Sequence, residues 1–206
     1  MKEAVKVSIY FDYICPWCYI AAVRLEQIKE EYGDKVSISW ISYPLLLVEN
    51  PDRRITPHSA ESRGRAKLEE ETASFKSWDT SQAYPASSIP ALQAGKCAQL
   101  QGEEAFLRFH SLLFKAFFEE NRNISDRQVL VSLAEEAELD VERFSSDFDQ
   151  GSQVNEVLAE SDDGRGKYAG WGIPLVIIGD RYPVMGAAPI AMYRRGIDLC
   201  LASQTG

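Results

Sequence analysis

The sequence predicts an α/β fold in which one sheet is assembled from the two ends of the chain around a large helical insertion. Three observations predict it. Residues 4–43 read strand, helix, strand; residues 172–203 read strand, turn, strand, helix; and the stretch from 44 to about 170 has helical periodicity almost throughout. Neither β-bearing end can bury both faces of a sheet alone, so the economical solution is a single shared sheet. With 206 residues, 45% hydrophobic and 26% charged, the chain carries enough apolar material for such a core.

Val5, Val7, Ile9 and Phe11 alternate with Lys6, Ser8 and Tyr10, which reads as a strand. A helix then starts near Pro16, carries Ala21, Ala22, Leu25 and Ile28 on one stripe, and ends at Gly33. Val36, Ile38 and Trp40 alternate with Ser37 and Ser39 as a second strand. Pro44, Pro51 and Pro57 punctuate the connection that follows, and Glu61–Phe75 is weakly amphipathic. A helix is expected near Pro90, bearing Leu92 and Cys97. The strongest helical pattern is Glu104–Glu120, where Phe106, Phe109, His110, Leu113, Phe114, Phe117 and Phe118 recur on one face. Ser125-x-x-Gln128 has capping-box form and is expected to open the next helix. Asp140 is placed to cap another, and Val154, Val157 and Leu158 suggest one more. Leu175–Ile178 and Tyr182–Met185, joined through Gly179-Asp180, read as a hairpin. A last helix runs from about Pro189. A βαβ unit, a helical block and a ββα unit, in that order, are the layout of a thioredoxin fold. The expected organisation is a thioredoxin-fold domain over 1–43 and 171–206, with an inserted helical domain over 44–170.

Thirty-one acidic against 22 basic residues give a formal charge of −9. With no long Lys/Arg run, this argues against nucleic acid or an anionic membrane as the main partner. No apolar run approaches the ~18–20 residues of a membrane-spanning helix. The N-terminus does not read as an export signal, because Lys6 interrupts it and Asp12 falls where an apolar segment should continue. A cytoplasmic location is therefore expected.

Of four cysteines, Cys15 and Cys18 form Cys-Pro-Trp-Cys, whereas Cys97 and Cys200 stand alone. The motif follows a strand and opens a helix. Pro16 suits the first helical turn, which places Cys15 at or beside the N-cap, where unpaired N–H groups and the helix dipole favour a thiolate. Cys18 lies one turn on, on the same face and within disulfide reach. The asymmetry makes Cys15 the nucleophile and Cys18 the resolving thiol, with Pro16 and Trp17 tuning the pair. A zinc site would need two further ligands, and Cys97, Cys200, His58 and His110 are scattered along the chain, so no metal is expected. Downstream, Pro174 in Trp171-Gly-Ile-Pro precedes an apolar strand. A cis Ile173–Pro174 bond would free the N–H and C=O of Ile173 to pair with an extended substrate backbone beside the dithiol. Cis bonds occur in only about 5–6% of X–Pro pairs, so Pro174 gains its meaning from the dithiol in the matching topological position.

Asp12-Tyr-Ile-Cys-Pro-Trp-Cys-Tyr-Ile, the helical insertion, Phe117-Phe-Glu-Glu-Asn-Arg-Asn-Ile-Ser-Asp, Gly172-Ile-Pro and Val184-Met-Gly-Ala-Ala-Pro189 together resemble the DsbA-like thioredoxin superfamily, with the cytoplasmic FrnE-like branch nearest. The resemblance spans roughly residues 5–200. It implies Cys15 and Cys18 as a redox-active pair, Pro174 as the cis-proline, and no cofactor beyond that disulfide, with glutathione as a candidate co-substrate. Two positions depart from the pattern: periplasmic relatives usually carry histidine where this chain has Trp17, and Ala188 stands where the group often has glutamine.

The expected function is thiol–disulfide exchange with protein or peptide thiols. The alternative is a glutathione-dependent isomerase or transferase of the hydroxychromene carboxylate isomerase or kappa-class type, whose members typically present serine in place of the first cysteine. A chaperone-like binding module ranks third. Phe11, Tyr13, Trp17 and Tyr19 are expected to crowd the dithiol as an apolar rim for peptide substrates, joined by Ile173, with Asp12 either near the chemistry or stabilising the turn. His110 is expected in the core, His58 in a surface loop, and Arg63-Gly-Arg-Ala-Lys at a solvated helix start.

Overall fold

The computed structural model describes residues 3–69 and 73–204. Its N-terminal unit is β1 (Val5–Phe11), α1 (Pro16–Tyr32), a short 3₁₀ turn (Gly33–Lys35) and β2 (Val36–Ser42). Six helices follow: α2 (Pro57–Ala66), α3 (Ile89–Gln99), α4 (Glu103–Phe118), α5 (Arg127–Glu136), α6 (Val141–Gln150) and α7 (Ser152–Lys167). The chain then re-enters the sheet as β3 (Leu175–Ile178) and β4 (Tyr182–Met185) and closes with α8 (Ile190–Ser203).

The sheet runs β2-β1-β3-β4. β1 and β2 are parallel, in register from Val5 opposite Val36 to Phe11 opposite Ser42, because α1 carries the chain back before β2 begins. β3 lies antiparallel on the other side of β1, and β4 antiparallel to β3. The turn between Ile178 and Tyr182 has three residues, 179–181, of which Gly179 and Asp180 both adopt positive φ, +59° and +54°. A Cβ at Gly179 would run into the Cys200 sulfur, so glycine is needed there for space as well as for conformation. β1 is central and covered on both faces. Tyr10, on a strand whose alternation suggested one wet face, is buried against Leu175 and Ile177.

One aromatic seam joins the inserted helices to the sheet. The apolar face of α4 meets Phe11, Tyr13 and Tyr19, with the Tyr19 ring stacked on Phe114 at 5.1 Å and on Phe118 at 5.7 Å between centroids. His110 sits fully buried in this seam among Phe11, Trp40, Phe106 and Phe114. Burial pushes its imidazole down to about 3, so the ring is neutral, and its Nδ1 shares a hydrogen bond with the Tyr13 hydroxyl, 2.7 Å away.

Several sequence expectations need correcting. The stretch after residue 43 is not continuously helical: residues 43–56 and 73–88 contain no α-helix, and Arg53 and Ser87 take part in the hydrogen bonds that hold these runs in place. α2 begins at Pro57, capped by the Thr56 hydroxyl, and ends at Ala66, so it opens before the expected Glu61–Phe75 segment, of which residues 70–72 lie outside the described residues. His58 therefore lies in a helix rather than a loop. The 63–67 basic cluster ends α2 instead of starting a helix, and Arg63 is buried, donating to the carbonyls of Lys76 and Phe117 and to Asn121 Oδ1. Asp126, not Ser125, caps α5; the Ser125 hydroxyl donates to the Ser87 carbonyl.

Phe114→Ala, which removes a ring packed against Tyr13, Tyr19 and Phe118, should cost about 3–5 kcal/mol in urea unfolding. His110 adds a pH signature. Its native pKa is depressed below the unfolded value of 6.5, so its contribution is complete above pH 6.5 and is lost as pH falls toward about 3. The stability difference between wild type and His110→Phe should hold constant above pH 6.5 and drift in favour of the variant below it.

Candidate active site

Cys15 is the N-cap of α1, with φ −90° and ψ 115°. Its side chain makes no capping bond, so the sulfur rather than an oxygen occupies the N-terminal end of the helix, while its carbonyl accepts from the amides of Cys18 and Tyr19. Pro16 starts the helix, where its missing N–H leaves no bond unmade. Both cysteines are free thiols. They differ in access. Cys15 lines a cleft of about 440 Å³, whereas Cys18 is fully buried and its thiol is pushed well up, first by burial and then by Cys15.

The Ile173–Pro174 peptide is cis, and the Ile173 carbonyl oxygen lies 3.9 Å from Cys15 Sγ. The Pro174 carbonyl accepts from Gly186 N at 2.8 Å, which ties this bend to the end of β4. Among the described residues the Ile173 N–H makes no hydrogen bond, and the side chain is half-buried. A polypeptide edge is thus presented beside the Cys15 sulfur.

Asp12 is fully buried beneath the dithiol turn. Its Oδ1 accepts from Ile14 N at 3.2 Å, and its Oδ2 accepts from Leu45 N at 2.7 Å and from the Ser88 hydroxyl at 2.6 Å. Burial raises its pKa, and these three bonds together with the charge of Arg53 oppose the rise. Asp12 therefore pins the turn before Cys15 to the segment after β2 and to the N-cap of α3. It does not reach substrate. Tyr13 is likewise spent on His110, and Tyr19 donates to Glu119 Oε1 at 2.5 Å. The substrate-contacting roles expected of Asp12, Tyr13 and Tyr19 are corrected accordingly: all three are buried, as is Phe11, because the aromatic face of α4 covers the three rings while Ile14, Leu45 and Ser88 hold the Asp12 carboxylate.

The cleft wall comes instead from Trp17, from Leu45 and Leu46, and from α2. Trp17 is half-buried and its indole donates to the Ser62 hydroxyl at 3.0 Å, fastening α2 alongside the dithiol. Leu45, Leu47 and Val48 are exposed apolar residues on the irregular stretch after β2, and Leu45 lines the cleft. Arg53, Arg63 and Arg65 line it too, against one carboxylate, Glu61. Sequence reading missed this contribution, although Leu45-Leu-Leu-Val48 in a proline-punctuated connection was a visible signal. Cys97 and Cys200 are buried on α3 and α8, and among the described residues no group of three or more His, Cys, Asp or Glu side chains is arranged to hold a metal.

The model of the DSBA-like thioredoxin domain family matches residues 6–198. The chain belongs to that family. Among curated relatives, the ClpXP adapter protein SpxH of Bacillus subtilis is 26% identical over 153 residues, 74% of this chain and 51% of the relative. The chain thus spans about half the length of that relative. A solved structure of a putative protein disulfide isomerase from Nitrosomonas europaea superposes with TM-score 0.82 at 18% identity, covering 98% of this chain and 99% of that one. The cytosolic disulfide reductase DsbM from Pseudomonas aeruginosa, solved with GSH, gives 0.73 at 19%, covering 98% and 100%. A 2-hydroxychromene-2-carboxylate isomerase gives 0.69 at 15%, covering 97% and 98%. These likenesses share the fold.

In this DSBA-like domain the two thiols should be distinguishable chemically. Brief iodoacetamide treatment of the native reduced protein, read by peptide mass spectrometry, should label Cys15 at least about tenfold faster than Cys18 or Cys97, since Cys15 lines an open cleft and those two are fully buried.

Proposed function

We propose that this protein is a thiol–disulfide oxidoreductase acting on protein or peptide substrates, with Cys15 as nucleophile and Cys18 as resolving thiol. The observation that carries this reading is the meeting of Cys15 Sγ, at the N-terminus of α1, with the Ile173 carbonyl of the cis bend, 3.9 Å away. The Cys15 thiolate attacks one sulfur of a substrate disulfide in line. An S–S bond forms between Cys15 and that sulfur while the other leaves as a thiolate. The Ile173 backbone holds the substrate as an extended strand, with its free N–H and its carbonyl as the pairing groups. Cys18, protonated and shielded until then, loses its proton to solvent or to the departing thiolate and attacks Cys15 Sγ. The second substrate thiolate is released, and the enzyme is left with a Cys15–Cys18 disulfide. Substrate gains two electrons and the dithiol loses two; the reverse sequence oxidises a dithiol.

The disulfide is the only redox group this chemistry requires, and glutathione is a suitable reductant for the spent enzyme. Its two carboxylates suit the Arg53 and Arg65 side of the cleft, and the fold is shared with a reductase solved with GSH. A cytoplasmic setting agrees with this. Among the described residues no helix is long and apolar enough to cross a membrane, and DsbM is described as cytosolic.

A second reading, glutathione-dependent isomerisation or transfer, draws on the same cleft and on the shared isomerase fold. The pair of thiols at exchange distance favours redox chemistry. Insulin reduction with glutathione as electron donor should fall at least about 100-fold in Cys15→Ser, and Cys18→Ser should accumulate a mixed disulfide with substrate, visible by mass spectrometry. Equal rates for wild type and Cys15→Ser would exclude the oxidoreductase reading; turnover sustained by Cys18→Ser without a trapped adduct would favour the second.

A further inference from the structure

β2 is the outer strand of the sheet, and the ladder fixes which of its backbone groups face away from β1. Tyr43 N donates to the Phe11 carbonyl, and Phe11 lies opposite Ser42, so Ser37, Ser39 and Ile41 bond inward while Val36, Ile38, Trp40 and Ser42 present theirs outward. The two ends of this outward row are covered. Lys29 Nζ donates to the Val36 carbonyl at 3.2 Å, and Ser42 N donates to Glu160 Oε2 at 2.7 Å. Between them the outward N–H and C=O groups of Ile38 and Trp40 have no hydrogen-bond partner among the described residues. They open onto a groove of about 650 Å³ between α1, α3, α4 and α7, which shares no lining residue with the Cys15 cleft.

The groove is acidic. Glu26 and Glu30 on α1 and Glu103 at the start of α4 line it, and none has a cation within ion-pair distance among the described residues. Of its two lysines, Lys29 is committed to backbone carbonyls, and Lys96 is neutralised by Glu156 at 3.1 Å and Glu160 at 2.5 Å. Phe106 and Leu107 supply an apolar wall.

We propose that this edge is a binding site for an extended, basic polypeptide segment, which adds to the sheet as a fifth strand on Ile38 and Trp40 with its Lys or Arg side chains against Glu26, Glu30 and Glu103. An incoming strand satisfies four backbone groups at once, and its cations meet carboxylates that lack partners. Burial, opposed by Lys115 and reinforced by Glu30, raises the pKa of Glu26, which a bound cation would reverse. A second copy of this chain fits poorly, since pairing two β2 edges would bring the same carboxylates face to face and the flanking helices recess the strand. The proposal concerns a surface away from the thiols and stands whether or not these exchange disulfides.

The test uses the intact protein and a fluorescein-labelled Lys-Val-Lys-Val-Lys-Val peptide, followed by fluorescence anisotropy. Saturable binding is expected. The Glu-Val counterpart, and the Lys-Val peptide with every interior amide N-methylated, should each bind at least about tenfold more weakly. The E26Q/E30Q/E103Q variant should lose about tenfold for the Lys-Val peptide while its disulfide exchange at Cys15 stays at the wild-type rate. Absence of saturable binding would overturn the site. Undiminished binding of the N-methylated peptide, which keeps the charge, would overturn strand addition, and undiminished binding of the Glu-Val peptide or by the triple variant would overturn selection for a basic segment.

Discussion

The whole arrangement depends on keeping one sulfur at the open end of a helix against one carbonyl that lies 158 residues away along the chain. That contact exists because β1 is sandwiched between β2 and β3. β1 delivers Cys15 to the start of α1, and β3, paired antiparallel to β1, begins just where the cis bend at Pro174 must meet it. Moving either strand by one residue would turn its side chains to the opposite face and carry sulfur and carbonyl apart. The helices inserted between β2 and β3 are therefore free to vary in detail, provided they return the chain to the same edge of β1.

Those helices do more than bridge. The seam of Tyr19, Phe114 and Phe118 locks α1 to α4, and Asp12 links the dithiol turn to Leu45 and to the Ser88 cap of α3. A carboxylate held this deeply is tolerable because three donors converge on it and Arg53 adds its charge. The same fastening brings Leu45 and α2 alongside Cys15, so the residue that stabilises the turn also shapes the cleft. Trp17 completes the wall from the other side through Ser62. Structural and chemical roles are hard to separate here, since the buried polar contacts set the position of the exposed apolar ones.

Electrostatically the molecule is uneven. An acidic chain with a formal charge of −9 gathers three arginines around the Cys15 cleft, yet sets along the open edge of β2 carboxylates that have no ion-pair partner among the described residues. In both places the local charge differs from what the overall charge would suggest or is concentrated beyond it.

Local signals in the chain were enough to determine the strands, most helix limits and the position of Cys-Pro-Trp-Cys at the start of α1. Alternation in β1 and β2, Pro16 and Gly33 at the two ends of α1, and Gly179-Asp180 in the hairpin are each governed by backbone geometry within a few residues. The tertiary structure decided what faces what. Tyr13, Tyr19 and Asp12 stand next to the cysteines in sequence and looked like contacts for substrate, but α4 covers the two tyrosines, and Leu45 and Ser88 hold the carboxylate inward. Leu46, Arg53 and α2 became part of the cleft although their sequence has no regular period, because hydrogen bonds to the distant partners Ser88, Pro85 and Lys76, rather than periodic burial, hold them there. Period encodes only which face of an element is apolar; which neighbour covers that face depends on contacts between segments far apart in the chain.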